Sequence, residues 1–348
     1  MATTLPILED PKHALTDDAR LTDGHRRTLT DLRISVTDRC NYRCVYCRTG
    51  NDAFPVSELP LADYARLLRV FVSLGIEKVR FTGGEPLLRN GLLDLIRSTA
   101  QLTSPFTDKL DLALTTNGHL LAPLARPLKD AGLSRITISM DAVDPDTFTR
   151  ITRVPGSFQH VRDGIRAAQD AGFADIKINC VLLSGFNDSQ IEAFADFARS
   201  ERVIVRFIEF MPLEEDRAWS PDTVVPMSEV LTRLNAHLPL VPLPVNSPSE
   251  TARRYTFADG IGEIGIIAPV SNPFCGHCSR LRLTSDGALR TCLFSQSDHD
   301  LVPYLRRNAS DDDLRVTIRH IVQQKEARHH IGEPGFLQPS RSMVHIGG

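Results

Sequence analysis

The stretch Leu32-Arg33-Ile34-Ser35-Val36-Thr37-Asp38-Arg39-Cys40 decides how the chain folds. Apolar and β-branched residues alternate through Thr37, the signature of a strand, and the run ends in polar residues and a cysteine. Similar runs recur at Lys78–Thr82, Leu112–Thr116, Arg135–Met140, Ile176–Leu183 and Val203–Met211. Helix-like periodicity fills the gaps near 61–74, 90–102, 120–131, 158–171 and 189–200, with Gly75, Gly132 and Gly172 where helices should stop. Alternating strands and helices imply a parallel sheet with right-handed crossovers. Eight such units close a barrel of the triosephosphate isomerase type. Six predict an α/β fold with an incomplete (β/α)6 TIM-like barrel.

The strand ends are polar: Thr82-Gly83-Gly84-Glu85, Thr115-Thr116-Asn117-Gly118 and Ser139-Met140-Asp141 join Thr37-Asp38-Arg39. One polar loop means little, but four at the C-terminal edge of a parallel sheet point to a ligand site.

After Met211 the rhythm breaks. Residues 212–250 are rich in proline around one helix near 228–237 and read as a connection. Short strands follow at Arg254–Phe257, Gly262–Ile267, Arg280–Thr284 and Ala288–Cys292, with a hairpin turn at Asp286-Gly287 and helices near 298–307 and 311–325. The expected division is an N-terminal arm (1–30), the partial barrel (31–211), the connection (212–250) and a smaller C-terminal α+β cluster-binding domain (251–348).

A net charge of -3 argues against a general nucleic-acid binder. No apolar run approaches the roughly 18 residues of a membrane span. The first thirty residues carry Glu9, Asp10, Asp17, Asp18 and Asp23 without an apolar core, unlike a signal peptide. A cytoplasmic protein without membrane partners is expected.

Seven cysteines in a reducing compartment are better read as ligands than as disulfides. Cys40, Cys44 and Cys47 form one trio, Cys275, Cys278 and Cys292 another, and Cys180 reads as a core residue. Three thiolates can hold three corners of a cubane iron–sulfur cluster and leave the fourth iron open. Zinc is the competing reading, although zinc sites favour paired C-x2-C elements and each trio lacks a second pair.

Arg280 and Arg282, two apart on a strand, share a face beside the second trio. Their forked guanidiniums suit phosphate. Arg33, Lys78, Arg80, Lys177 and Arg206 lie on other strands, and so many inward cations would be costly without an anion.

The C-x3-C-x2-C loop after the first strand and Gly83-Gly84-Glu85-Pro86 after the second resemble the signatures of the radical S-adenosylmethionine superfamily. That resemblance implies a 4Fe-4S cluster on Cys40, Cys44 and Cys47. It implies S-adenosylmethionine with its methionine end near Gly84 and Glu85, its adenosine along Tyr46 and Ser139, and its adenine near Met211. The block Arg206-Phe207-Ile208-Glu209-Phe210-Met211, the run Cys278-Ser279-Arg280-Leu281-Arg282-Leu283 and the terminal Ile346-Gly347-Gly348 further resemble the GTP 3′,8-cyclase family of molybdenum-cofactor biosynthesis, over nearly the whole chain.

From this resemblance follow several expectations. A second 4Fe-4S cluster would sit on Cys275, Cys278 and Cys292, its open iron contacting guanine. Arg33, Arg80, Thr115, Lys177, Arg280 and Arg282 would bind GTP. Gly347 and Gly348, with Lys78 and Arg206, would support catalysis. The reaction would split S-adenosylmethionine to methionine and 5′-deoxyadenosine and convert GTP to (8S)-3′,8-cyclo-7,8-dihydroguanosine 5′-triphosphate. A reduced electron donor would serve upstream and cyclic pyranopterin monophosphate synthase downstream, with a homodimer left open. Where the family often has Met-Pro after the third cysteine, this chain has Arg48-Thr49-Gly50. A radical maturase of peptides with an auxiliary cluster, and a non-catalytic zinc module, are the other readings.

Overall fold

The structure, a computed structural model, describes residues 20–47, 58–214, 217, 219–307 and 309–347. The Arg48-Thr49-Gly50 stretch, Gly348 and the first part of the arm lie outside the described residues.

Six strands fall where the alternation puts them: β1 (Asp31–Ser35), β2 (Lys78–Thr82), β3 (Asp111–Thr116), β4 (Arg135–Ser139), β5 (Lys177–Leu182) and β6 (Ile204–Glu209). Helices α1 (Leu61–Ser73), α2 (Leu92–Ala100), α3 (Ala125–Asp130), α4 (Pro145–Thr152), α5 (Ser157–Asp170) and α6 (Ile191–Ser200) connect them. The connection carries α7 (Met227–His237) and β7 (Leu240–Pro242). Then come β8 (Arg253–Phe257), β9 (Glu263–Ile267), β10 (Arg280–Leu283), β11 (Ala288–Arg290), β12 (His299–Asp300), α8 (Val302–Arg306), α9 (Asp311–Gln323) and α10 (Met343–Ile346).

Among the described residues the twelve strands form one sheet in the order β12-β11-β10-β1-β2-β3-β4-β5-β6-β9-β8-β7. The C-terminal strands build onto both edges of the barrel. β10 runs parallel beside β1, and β9 runs parallel beside β6. The chain thereby extends the parallel array by one strand on each side. This long-range pairing was not legible in the local patterns.

Burial alternates most regularly along β5 and β6. On β5, Ile178, Cys180 and Leu182 are buried while Lys177, Asn179 and Val181 are less so. The buried set packs beneath the helices, as with Phe71 and Leu67 on α1 and Phe194 on α6. The other face is polar and lines a cavity, where a closed barrel of this type would have a packed core.

Three local readings differ from the sequence patterns. The helix expected near 298–307 is split, because His299 and Leu289 pair across β12 and β11 before α8 begins. The expected helix over 120–131 starts only at Ala125. Helix α4 was not anticipated, yet Asp144 caps it by accepting from the amides of Asp146 and Thr147, with Pro145 in the first turn. That cap signal was present in the sequence.

Candidate active site

Both cysteine trios open into one cavity of about 490 Å³. The first trio rides on the loop leaving β1. The loop is pinned from two sides. The amides of Gly84 and Glu85 donate to the carbonyls of Thr37 and Arg39, each at 2.7 Å, and the amides of Arg43 and Val45 donate to the carbonyls of Thr152 and Ile151 at the end of α4. The glycine pair therefore has a different use from an approach to ligand alone. A Cβ on Gly84 would lie 2.7 Å from both the carbonyl carbon of Arg39 and the oxygen of Asp38. Only glycine lets the two loops run backbone to backbone.

Glu85 stands behind the cavity wall and does not line it. It is fully buried and accepts from Leu87 N at 3.0 Å, Thr116 Oγ1 at 2.8 Å and Asn117 N at 2.7 Å. Burial pushes its carboxyl up to about 7 against those three donors. It braces β2 to β3, and Asn117 carries the brace onward by donating to Asn41 Oδ1 at 2.7 Å. Gly84, Tyr46, Ser139 and Met211 do line the cavity. Tyr46 donates to Asp141 at 2.7 Å, and Val181 N donates to the same carboxylate at 2.8 Å. Asp141 and Asn117 were noted only as polar strand ends; their place on the wall emerges from the fold.

The donor chemistry fits iron. Burial, then Asp141, Cys47 and Cys40, pushes the Cys44 thiol well up, so its thiolate would form only beside a cationic partner such as a metal. At the second trio burial also opposes ionisation, but Arg280, Lys325 and Arg27 bring the Cys278 thiol down to about 7. Among the described residues, no three His, Cys, Asp or Glu side chains are gathered as they stand to hold a single metal ion.

Between the trios lies a wall of cations. Arg33 pairs in register with Arg80 on one side and Arg282 on the other, so three guanidiniums stem from adjacent strands. Lys78, Lys177, Arg206 and Arg280 also line the cavity, as does Thr115. Two cations went unremarked in the sequence: Arg135, paired with Asp111, and Lys325. Burial, then Arg33, lowers the Arg80 guanidinium; burial, then Arg135, lowers Arg206. Burial followed by Arg206, Arg135 and Arg80 lowers Lys177 to about 8. Arginine stays charged at neutral pH regardless, and Asp31 and Glu250 on the same cavity offset only part of the repulsion within the wall.

The expected tail residue Gly347 reaches this wall. Arg282 donates to the carbonyls of Ile346, at 3.1 Å, and Gly347. The end of the proline-rich connection also reaches it: Ser247, Ser249 and Glu250 line the rim, and Arg280 donates to the carbonyl of Ser249 at 3.3 Å. Reading 212–250 as a plain connection missed this contribution.

Comparison with known proteins follows the same division. Residues 34–198 match the Radical SAM superfamily and residues 203–331 match Molybdenum Cofactor Synthesis C. The GTP 3′,8-cyclase of Acidothermus cellulolyticus is 45% identical over 88% of this chain and 87% of its own length. That of Syntrophomonas wolfei is 41% identical over 94% of this chain and 99% of its own. Streptococcus suis SuiB, solved with its precursor peptide SuiA, shares the fold at a TM-score of 0.60 and 15% identity, over 91% of this chain and 76% of that one. Among the described residues, no helix is long and apolar enough to cross a membrane.

Proposed function

This chain belongs to the GTP 3′,8-cyclase family, and from that membership we propose how its cavity carries out the family reaction. It is a radical S-adenosylmethionine enzyme of molybdenum-cofactor biosynthesis that acts on GTP. The observation that carries the assignment of parts is the shared cavity: two trios far apart in the chain face each other across a wall of cations.

Cys40, Cys44 and Cys47 would hold a 4Fe-4S cluster, and Gly84, Tyr46, Ser139 and Met211 would hold S-adenosylmethionine beside it. Together these groups, when bound, supply an electron and a carbon-centred radical able to take hydrogen from the ribose C3′ of GTP. The chain's own part is placement. The guanidiniums of Arg33, Arg80, Arg280 and Arg282 would fork onto the triphosphate, with the Lys177 ammonium and Thr115 beside them, fixing the ribose between the trios. Lys78 and Arg206 complete the positive field. Cys275, Cys278 and Cys292 would hold a second 4Fe-4S cluster against the guanine. Arg282, bonded to the tail, would couple phosphate binding to closure by Gly347 and exclude water from a reactive carbon centre. The cyclised dihydro product would pass to cyclic pyranopterin monophosphate synthase, and a reduced donor would provide the electron.

Two variants test this division. Cys44→Ser should abolish cleavage of S-adenosylmethionine. Cys278→Ser should retain cleavage while losing cyclisation of GTP. Equal loss of both activities in Cys278→Ser would sink the separate roles.

A further inference from the structure

The second trio comes from two loops, one bearing Cys275 and Cys278 and the other Cys292. A third segment, the turn after α9, is tied to both. Arg27, 8% exposed, is anchored by an ion pair with the buried Asp23 at 2.6 Å. Its guanidinium then donates to the carbonyls of Cys275 at 2.9 Å, Ala327 at 2.7 Å and Glu326 at 2.5 Å. Lys325, 3% exposed, donates to the carbonyl of Arg280 at 3.1 Å and to that of Thr291, the neighbour of Cys292. Thr291 returns a hydroxyl bond to Glu326 at 2.7 Å. One turn thus links the Cys275 loop, through Arg27, to the Cys292 loop, through Lys325.

Asp23 balances the charge of Arg27, whereas the bonds given for Lys325 go to backbone carbonyls, which leave its ammonium uncompensated. A buried ammonium held by neutral carbonyls is costly unless negative charge lies near it. Lys325 lines the same cavity as Cys278 and Cys292, whose thiolates in a bound cluster would provide that charge.

We propose that Arg27 and Lys325 are positioning residues for the second trio, clamping the 325–327 turn across its two loops and placing positive charge beside its sulfurs. The inference rests on the reading that this trio holds a cluster. Groups outside the ligand set orient the ligands and tune the metal, and their loss typically weakens metal retention roughly 10–100-fold. Nearby positive charge favours the reduced, more negative state, so its removal makes reduction harder.

The test uses the full chain, reconstituted without oxygen, with iron and sulfide content and electron paramagnetic resonance measured before any substrate is added. The unaltered chain should show two clusters; if it shows one, the reading beneath the inference fails. Given two, Lys325→Met and Arg27→Met should lose iron from the second site roughly 10–100-fold faster under a chelator while the first site is unchanged. Lys325→Arg, which keeps the charge, should restore the midpoint potential that Lys325→Met shifts downward. Unchanged retention and potential in both Met variants would overturn the proposal. So would a Lys325→Arg potential equal to that of Lys325→Met. Should either Met variant fail to fold, Lys325→Arg and Arg27→Lys carry the test: the first must keep the original potential and the second, with its fork reduced to one point, must lose iron faster.

Discussion

Arg33 and Arg282 face each other in register on neighbouring parallel strands, although one lies near each end of the chain. Adjacent strands are separated by about 4.8 Å, so two like charges are held close by backbone pairing rather than by attraction. Arg80 continues the row on the other side of Arg33. Burial and like charge both oppose the row, Asp31 on the same cavity offsets part of that, and a polyanion between the guanidiniums would favour it.

This predicts a trade between stability and binding. Arg80→Met should raise the thermal midpoint of the ligand-free protein, since burial and Arg33 both penalise the present charge. The bonds from Arg80 to Thr115 at 3.1 Å and Thr137 at 3.2 Å offset only part of that gain. Affinity for a non-reacting GTP analogue should fall by about 1.5–3 kcal/mol, roughly 10–150-fold, the range for a charged hydrogen bond. Thermal unfolding and equilibrium binding on the same samples check both signs.

Lys177 predicts a pH dependence. Its ammonium titrates at about 8 in the folded protein, lowered by burial, then by Arg206, Arg135 and Arg80, with Asp175 opposing. A triphosphate prefers the charged form. Nucleotide affinity should therefore be full below about pH 7 and decline above pH 8, by up to about tenfold per unit. The same shift has the opposite sign for stability. The unfolded chain holds this proton up to about 10.4, so the ligand-free fold should gain stability from pH 8 towards 10. Lys177→Arg should flatten the binding profile, and titration calorimetry across pH would reveal a slope that persists if another group is responsible.

Gly84→Ala should damage the first cysteine loop without touching a cysteine. The new Cβ meets the backbone of Asp38 and Arg39, which cannot move aside as a side chain can. A cost of about 1–3 kcal/mol or more in denaturant stability is expected, together with faster loss of iron from the first site. Glu85→Gln should act in the same way, through the bonds to Thr116 and Asn117. An effect of either variant confined to the KM for S-adenosylmethionine would contradict this.

Gly347→Ala should separate catalysis from assembly. Gly347 adopts a φ of +70°, and a Cβ there would lie 2.5 Å from Thr82 Oγ1. Strain of about 1 kcal/mol plus that contact should displace the tail from Arg282. Turnover should drop while iron content changes little. Protease accessibility of the tail, compared with the unaltered chain, provides a readout independent of turnover.

Much of this was present in local sequence. Strands β1 to β6 announced themselves because a half-buried strand must alternate, and each trio because its thiols lie close in sequence or across a hairpin. Helix α4 was legible too, through Asp144-Pro145, and was overlooked. The remaining parts could not be read this way. Nothing near Arg27 marks it as a partner of Cys275 and Ala327, and nothing near Arg282 marks it as the neighbour of Arg33.

The amino-acid sequence by itself determined the strand-and-helix rhythm, the identity of the thiols and the inward cations, because side-chain chemistry and a period of two are local properties. Only the tertiary structure decided that the C-terminal strands flank the barrel at both edges, which brings two distant trios into one cavity and turns scattered arginines into a single row. Those outcomes depend on which backbone edges remain open for pairing once the parallel array has formed, and an open edge is a property of the assembled sheet rather than of any residue within it.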